Sequence, residues 1–185
     1  MNQEIQFAGF GGQGIVLAGY LLGKAISIYD KKNASMTQSY GPEARGGACS
    51  SGIVVSDTEG IVDYPKVREP HILVVMSQEA YFTYIGKLRK GGTLIYDEDL
   101  VTLENLPEEI KVYPIPATRI AEEVLGKRIV ANVVMLGALT GITKIVSEKA
   151  MKETLKTSVK KDFVELNLKA FEEGLKIASG LEVKA

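Results

Sequence analysis

The chain is poor in the residues that hold metals and redox groups. One cysteine, Cys49, and one histidine, His71, occur in 185 residues. A single thiol excludes an intrachain disulfide and any four-cysteine zinc or iron–sulfur site built from this chain alone. The lone histidine excludes histidine-rich metal sites and argues against a Ser–His hydrolase. An electron carrier, if the function needs one, must come from another chain. An excess of charge of one sign is also missing: 22 Lys and Arg stand against 23 Asp and Glu. With no basic block and no interleaving of aromatic and basic residues, neither nucleic acid nor a membrane surface is expected as a partner. The apolar stretches are much shorter than a membrane span. A strand pattern begins close to Met1, so no targeting peptide is expected and the cytoplasm is the expected compartment.

What is present is an ordinary globular composition, 45% hydrophobic and 24% charged, at a length suited to one good core. A short apolar strand pattern at residues 5–8 runs into Gly9-Phe10-Gly11-Gly12-Gln13-Gly14, and a helix pattern follows through Ile15, Ala18, Leu22 and Ile26. The spacing of Gly9, Gly11 and Gly14 fits G-x-G-x-x-G in the strand–turn–helix setting that an anion cradle needs. Glycines there allow positive φ and close approach, and the helix N-terminus offers free N–H groups. The bland alternative is a tight turn that binds nothing. A nicotinamide dinucleotide site also wants an acid at the end of the second strand. Asp30 falls in a polar turn before that strand, and the strand's end reads Thr37-Gln38-Ser39, which counts against a dinucleotide dehydrogenase.

Further along, residues 52–56, 71–76, 93–96 and 111–115 read as strands, with Pro114 pointing to an edge position or to the strand's very end. Helices are expected at 77–89, 117–125, 130–139 and 147–156. A last helix should bury Val164, Leu168, Phe171, Leu175 and Ala178 and end at Gly180. The alternation predicts an α/β, Rossmann-like three-layer sandwich with a mainly parallel sheet, residues 1–185 forming a single domain.

The second notable stretch is Ser39-Tyr40-Gly41-Pro42-Glu43-Ala44-Arg45-Gly46-Gly47. It is either a surface loop with an Arg45–Glu43 ion pair or a restricted binding loop, in which Arg45 and the two following amides receive an anion. Asn132 is read either as the cap of the helix that follows it or as a ligand contact at the C-terminal edge of the sheet. Cys49 is expected to be a small buried residue, His71 a strand-boundary residue, and Asp97-Glu98-Asp99 a turn whose carboxylates diverge.

Together, GFGGQG and, about 25 residues on, SYGPEARGG resemble the gamma subunit of the 2-oxoacid:ferredoxin oxidoreductases. The similarity continues through Asp63-Tyr64-Pro65, the HILVVMS strand, and residues 128–137 with Asn132. The SYGPEARGG ending is most similar to the 2-oxoglutarate or branched-chain class. The resemblance implies partner alpha and beta chains that hold thiamine diphosphate, iron–sulfur clusters on beta and on a ferredoxin-like delta chain, and ferredoxin as acceptor. It implies coenzyme A as a substrate bound at or near this subunit, which is itself noncatalytic. On that reading Gly9, Gly11, Gly12, Gln13 and Gly14 serve the phosphates, and Ser39, Tyr40, Arg45, Gly46 and Gly47 form a second cradle or a loop meeting a partner, with Asn132 nearby. Three rivals remain: the beta subunit of an indolepyruvate:ferredoxin oxidoreductase, a free-standing NAD-binding Rossmann protein, and an assembly subunit that binds nothing.

Overall fold

The computed structural model of the chain describes residues 2–40, 48–56 and 66–181. Its elements are β1 (Asn2–Phe10), α1 (Ile15–Lys24), β2 (Asn33–Tyr40), β3 (Ala48–Ser56), β4 (Ile72–Val75), α2 (Gln78–Tyr84), β5 (Thr93–Asp97), β6 (Lys111–Ile115), α3 (Ala117–Arg119), α4 (Ala131–Thr143), α5 (Glu148–Ser158) and α6 (Val164–Gly180). Single π-helical turns, Ala25–Tyr29 and Ile120–Val124, extend α1 and α3.

The six strands form one sheet in the order β2-β3-β1-β4-β5-β6. β1, β4, β5 and β6 pair in parallel, whereas β3 lies antiparallel between β1 and β2. Five of the six strands therefore point one way, as in a mostly parallel α/β sheet. β4 is buried on both faces: Ile72 and Val74 enter the larger core with α1, α4, α5 and α6, while Leu73 and Val75 enter the smaller core under α2. This accounts for the uninterrupted apolar run at that strand. Pro114 sits in β6, an edge strand, where a missing N–H leaves no ladder bond unmade.

Several details depart from expectation. The strand beside β1 is the antiparallel β3, so the place of a ribose-binding acid is taken by Ala48 and Cys49, paired with Phe10 and Gly9. The end of β2, where the acid was sought, is on the far edge. α2 ends at Tyr84 rather than near Arg89, because Leu88 turns extended and Arg89 N–H bonds Pro70 O at 3.2 Å. α6 buries Asn167, Ala170, Phe171 and Gly174, a seam rotated from the apolar stripe read from sequence. Small residues decide this. A Cβ on Gly174 would collide with Val134 O, and one on Gly137 with Phe171 O, so α4 and α6 touch backbone to backbone. Among the described residues no helix is long and apolar enough to cross a membrane.

Candidate functional site at the glycine turn

β1 delivers the chain to the C-terminal edge of the sheet, where residues 11–14 turn it into α1. Gly12 (φ +95°) and Gly14 (φ +74°) take the left-handed conformations that closing this turn requires. The turn is held by side chains. Gln13 Oε1 accepts the Phe10 N–H at 2.7 Å, and Gln13 Nε2 donates to Met76 O at 2.7 Å, which ties the ends of β1 and β4 together. Asn132 Nδ2 donates to Gly14 O at 3.1 Å. Asn132 is thus not the cap of α4: Val130 holds that position after a 3-10 turn at Arg128–Val130, and the amide braces the turn from behind.

Not every glycine of the motif faces outward. A Cβ on Gly9 would collide with Gln13 Oε1 and lie 2.7 Å from Ile15 Cδ1, and one on Gly14 would strike Asn132. These two are small so that the turn can pack. Gly12 has open space where a Cβ would be, with nothing within 4 Å. It forms a ridge between two clefts. One, of about 310 Å³, is lined by Gly11, Gly12, Gly14, Leu17, Tyr40 and Cys49. The other, of about 230 Å³, is lined by Gly12, Gln13, Met76, Thr118, Arg128 and Ile129. Gly14 has no side chain to cap α1 and no acid lies in the first turn, so the positive end of the helix is open to an anion except at Val16 N–H, which faces the Cys49 sulfur.

The structure brings Gly11, Gly12, Gly14 and Tyr40 to one cleft and Gln13 to its neighbour. Ser39 is separated from them. It pairs with Ser50 and lines a polar cleft of about 300 Å³ with Gln6, Lys66, Arg68 and Lys87 on the other face of the hairpin. Arg45, Gly46 and Gly47 lie outside the described residues, as does Glu43. Cys49 is buried, and burial raises its pKa against the Val16 N–H that lowers it, so the thiol stays protonated. His71 sits just before β4, where Nδ1 accepts the Glu4 N–H at 3.1 Å and Nε2 meets Arg89.

Sequence reasoning missed the group that stands behind Thr118 in the wall of the second cleft. Asp97, at the end of β5, is fully buried and accepts from Thr118 Oγ1 at 2.6 Å, Thr118 N at 3.1 Å and Asp99 N at 3.2 Å. Burial raises its pKa above the ordinary carboxylate value, opposed chiefly by the Thr118 hydroxyl. Glu98 and Asp99 turn outward and share Arg119, at 3.1 and 3.7 Å, so Asp97 parts from its neighbours while those two converge on one guanidinium, against the expectation that all three diverge. Arg128, at the mouth, pairs with Glu122 at 3.1 Å. The available signal was an acid ending an apolar strand, with a threonine at the start of a later helix. Among the described residues no group of three or more His, Cys, Asp or Glu could hold a metal ion.

Comparison with known proteins agrees with this geometry. The chain is 51% identical over 182 residues to the 2-oxoglutarate synthase subunit KorC of Methanocaldococcus jannaschii, covering 98% of this chain and 96% of that one. A keto/oxoacid ferredoxin oxidoreductase gamma subunit from Geobacter sulfurreducens superposes with a TM-score of 0.84 at 40% identity, over 97% of this chain and 99% of that chain. A 2-oxoglutarate:ferredoxin oxidoreductase from Magnetococcus marinus, solved with 2-oxoglutarate, coenzyme A and succinyl-CoA bound, superposes with a TM-score of 0.86 at 25% identity. That match covers 98% of this chain but 32% of the longer one. Residues 4–177 match the family described as pyruvate ferredoxin/flavodoxin oxidoreductase. A glycine turn of this build, in a chain matched nearly end to end, leads to one conclusion: the protein belongs to the pyruvate ferredoxin/flavodoxin oxidoreductase family.

Proposed function

We propose that this chain is the gamma subunit of a 2-oxoglutarate:ferredoxin oxidoreductase and that its glycine turn holds the anionic end of coenzyme A. The full-length likeness to a 2-oxoglutarate synthase subunit supports the complex and the substrate. The observation that carries the site is the open flank of Gly12, set between two clefts at the uncapped start of α1. Main-chain N–H groups and a helix N-terminus suit a diphosphate. Among the described residues, the lining of the 310 Å³ cleft contributes no carboxylate to repel one. It stands at the small end of ligand pockets, roughly 300–1,000 Å³, so it takes one end of the molecule and leaves the rest to neighbouring surfaces. Arg45 and the Gly46 and Gly47 amides, by residue type alone, are assigned to a second cradle, and Tyr40 is already in the cleft.

This subunit binds and orients; it does not perform the bond-breaking steps. Thiamine diphosphate and iron–sulfur clusters, held by alpha, beta and delta partner chains, supply decarboxylation and electron transfer to ferredoxin. Neither Cys49, buried and protonated, nor His71, engaged at the opposite end of β4, is placed to act as nucleophile or base at the cleft. The test is steady-state kinetics of the assembled complex carrying Gly12→Asp or Arg45→Ala. Each should raise KM for coenzyme A about tenfold, a loss of about 1.4 kcal/mol of ground-state binding, with KM for 2-oxoglutarate unchanged. An unchanged KM for coenzyme A in both intact complexes would sink the assignment of the site.

A further inference from the structure

Among the described residues, four of the nine exposed large apolar side chains fall on one face. Leu17, Tyr20 and Ile28 stand 42%, 48% and 51% exposed along the outer side of α1 and its π-helical extension. Ile129, 62% exposed, adjoins Leu17 across the glycine-turn cleft. Beside them a groove of about 370 Å³ runs between α1 and β2, lined by Tyr20, Gly23, Ile28, Ala34 and Met36. Gly23 leaves open space at its Cβ position, a notch in the helix surface into which a side chain can insert. The one charged residue lining the groove, Lys24, is drawn aside: its Nζ donates to Ser158 Oγ at 2.8 Å and Thr157 Oγ1 at 3.3 Å. A contiguous, aromatic-containing, charge-poor face of this kind has the composition of an interface core.

The lengths of the relatives point to the occupant. In the Magnetococcus enzyme this domain accounts for 32% of its chain, so about two thirds of that polypeptide is tethered to it. The Methanocaldococcus subunit is matched over 96% of its length and carries no such extension. Any contact that this domain makes with the tethered part within the longer chain is, for a subunit of this length, a contact between separate chains. We propose that the α1 face, from Ile129 through Leu17 and Tyr20 to Ile28, is the docking surface for the separate polypeptide that corresponds to the remaining two thirds of the longer enzyme. Leu17 belongs both to this face and to the glycine-turn cleft, so the partner that covers α1 also walls the cleft and completes it. The inference rests on the reading of this chain as a subunit of that oxidoreductase.

The test is recovery of the native complex on tagged full-length chain expressed in its own host, with partners identified by mass spectrometry. Leu17→Glu and Ile28→Glu should each lower recovery of the partner about tenfold or more, as a charge buried at an interface centre does. Phe82→Glu, on α2 at the other side of the sheet, should leave recovery unchanged, and all three chains should keep the wild-type circular dichroism spectrum. Hydroxyl-radical footprinting should show Leu17 and Tyr20 losing reactivity in the wild-type complex. Normal recovery with both glutamate variants, or full reactivity of Tyr20 in the complex, overturns the docking surface and leaves the proposed function standing. A wild-type chain that dimerises through this face, becomes monomeric as Leu17→Glu and still assembles would also overturn it, assigning the face to a second copy. A wild-type chain that brings down no thiamine-binding partner refutes the functional reading itself.

Discussion

Gln13 allows the construction of the glycine turn to be tested by a change of one heavy atom. Its amide makes two bonds of opposite sense: the oxygen accepts from Phe10 N–H and the nitrogen donates to Met76 O, both at 2.7 Å. Each is worth about 0.5–1.5 kcal/mol net, so Gln13→Ala should cost about 1–3 kcal/mol. Gln13→Glu keeps the shape and the bond from Phe10, but sets an ionised oxygen against the Met76 carbonyl. It therefore loses one bond and gains a repulsion, a penalty of about 2 kcal/mol when charged. Protonation restores a donor toward Met76 O and with it the second bond.

The folded state thus favours the protonated carboxyl, and its midpoint in the folded chain is raised above the ordinary carboxylate value by the lost bond and the repulsion from the Met76 carbonyl. Because that midpoint is raised, the stability is fully present at low pH and is lost as pH rises through the folded value. Thermal unfolding of the purified chain at pH 5 and pH 8, always as a difference from wild type, isolates this one group from the others that titrate. At about 2–4 °C per kcal/mol, the variant should melt about 4–8 °C below wild type at pH 8, and the gap should at least halve at pH 5. A gap equal at both pH values, or Gln13→Ala melting within about 1 °C of wild type, would refute the brace.

Other perturbations follow from the same structure. His71 titrates below its ordinary 6.5, because of burial first and then the Arg89 charge, with Glu4 opposing. Its contribution is therefore present above pH 6.5 and is lost as pH falls through the lower folded value; His71→Asn, which keeps an acceptor for Glu4 N–H, should flatten that loss in denaturant titrations. Asp97→Ala strips the partner from three donors, two of them on Thr118, and should cost about 2–4 kcal/mol by urea unfolding. Gly174→Ala should lower the melting temperature despite a helix-propensity gain of about 1 kcal/mol, since its Cβ meets Val134 O. Gly23→Ala, with open space at the same test, should raise the melting temperature of the isolated chain by about 2–4 °C.

What could be read from the sequence was local. The strand–turn–helix around the glycines follows from apolar strand residues, positive-φ positions and a helical stripe, all within about 25 residues. β4 declared itself as buried on both faces because it never alternates, and Pro114 marked an edge by what proline cannot donate. The antiparallel insertion of β3 was not legible, because eight consecutive buried residues in that strand carry no mark of direction. The cap reading of Asn132 fails for a related reason: a 3-10 turn moves the start of α4 to Ala131, so a residue type suited to capping falls inside the helix. Asp97 and Thr118 are 21 positions apart, and no spacing rule relates the end of a strand to the start of a helix beyond the next strand.

The same contrast explains why the GFGGQG letters point to binding without naming catalytic groups. Four of its six residues are glycine, and two of those, Gly9 and Gly14, are glycine to make room for Gln13, Ile15 and Asn132. The one long polar side chain, Gln13, is spent on Phe10 and Met76, and the polar residue behind the turn, Asn132, is spent on Gly14. What remains to meet a ligand is main chain, at Gly11, Gly12 and the first turn of α1. Main chain offers N–H dipoles of fixed direction and no titrating group, so it can select an anion but cannot move a proton at neutral pH. A turn built in this way is specified by its packing and recognised by its ligand through the backbone, which is why its side chains must be tested through stability and its function through the affinity for an anionic substrate.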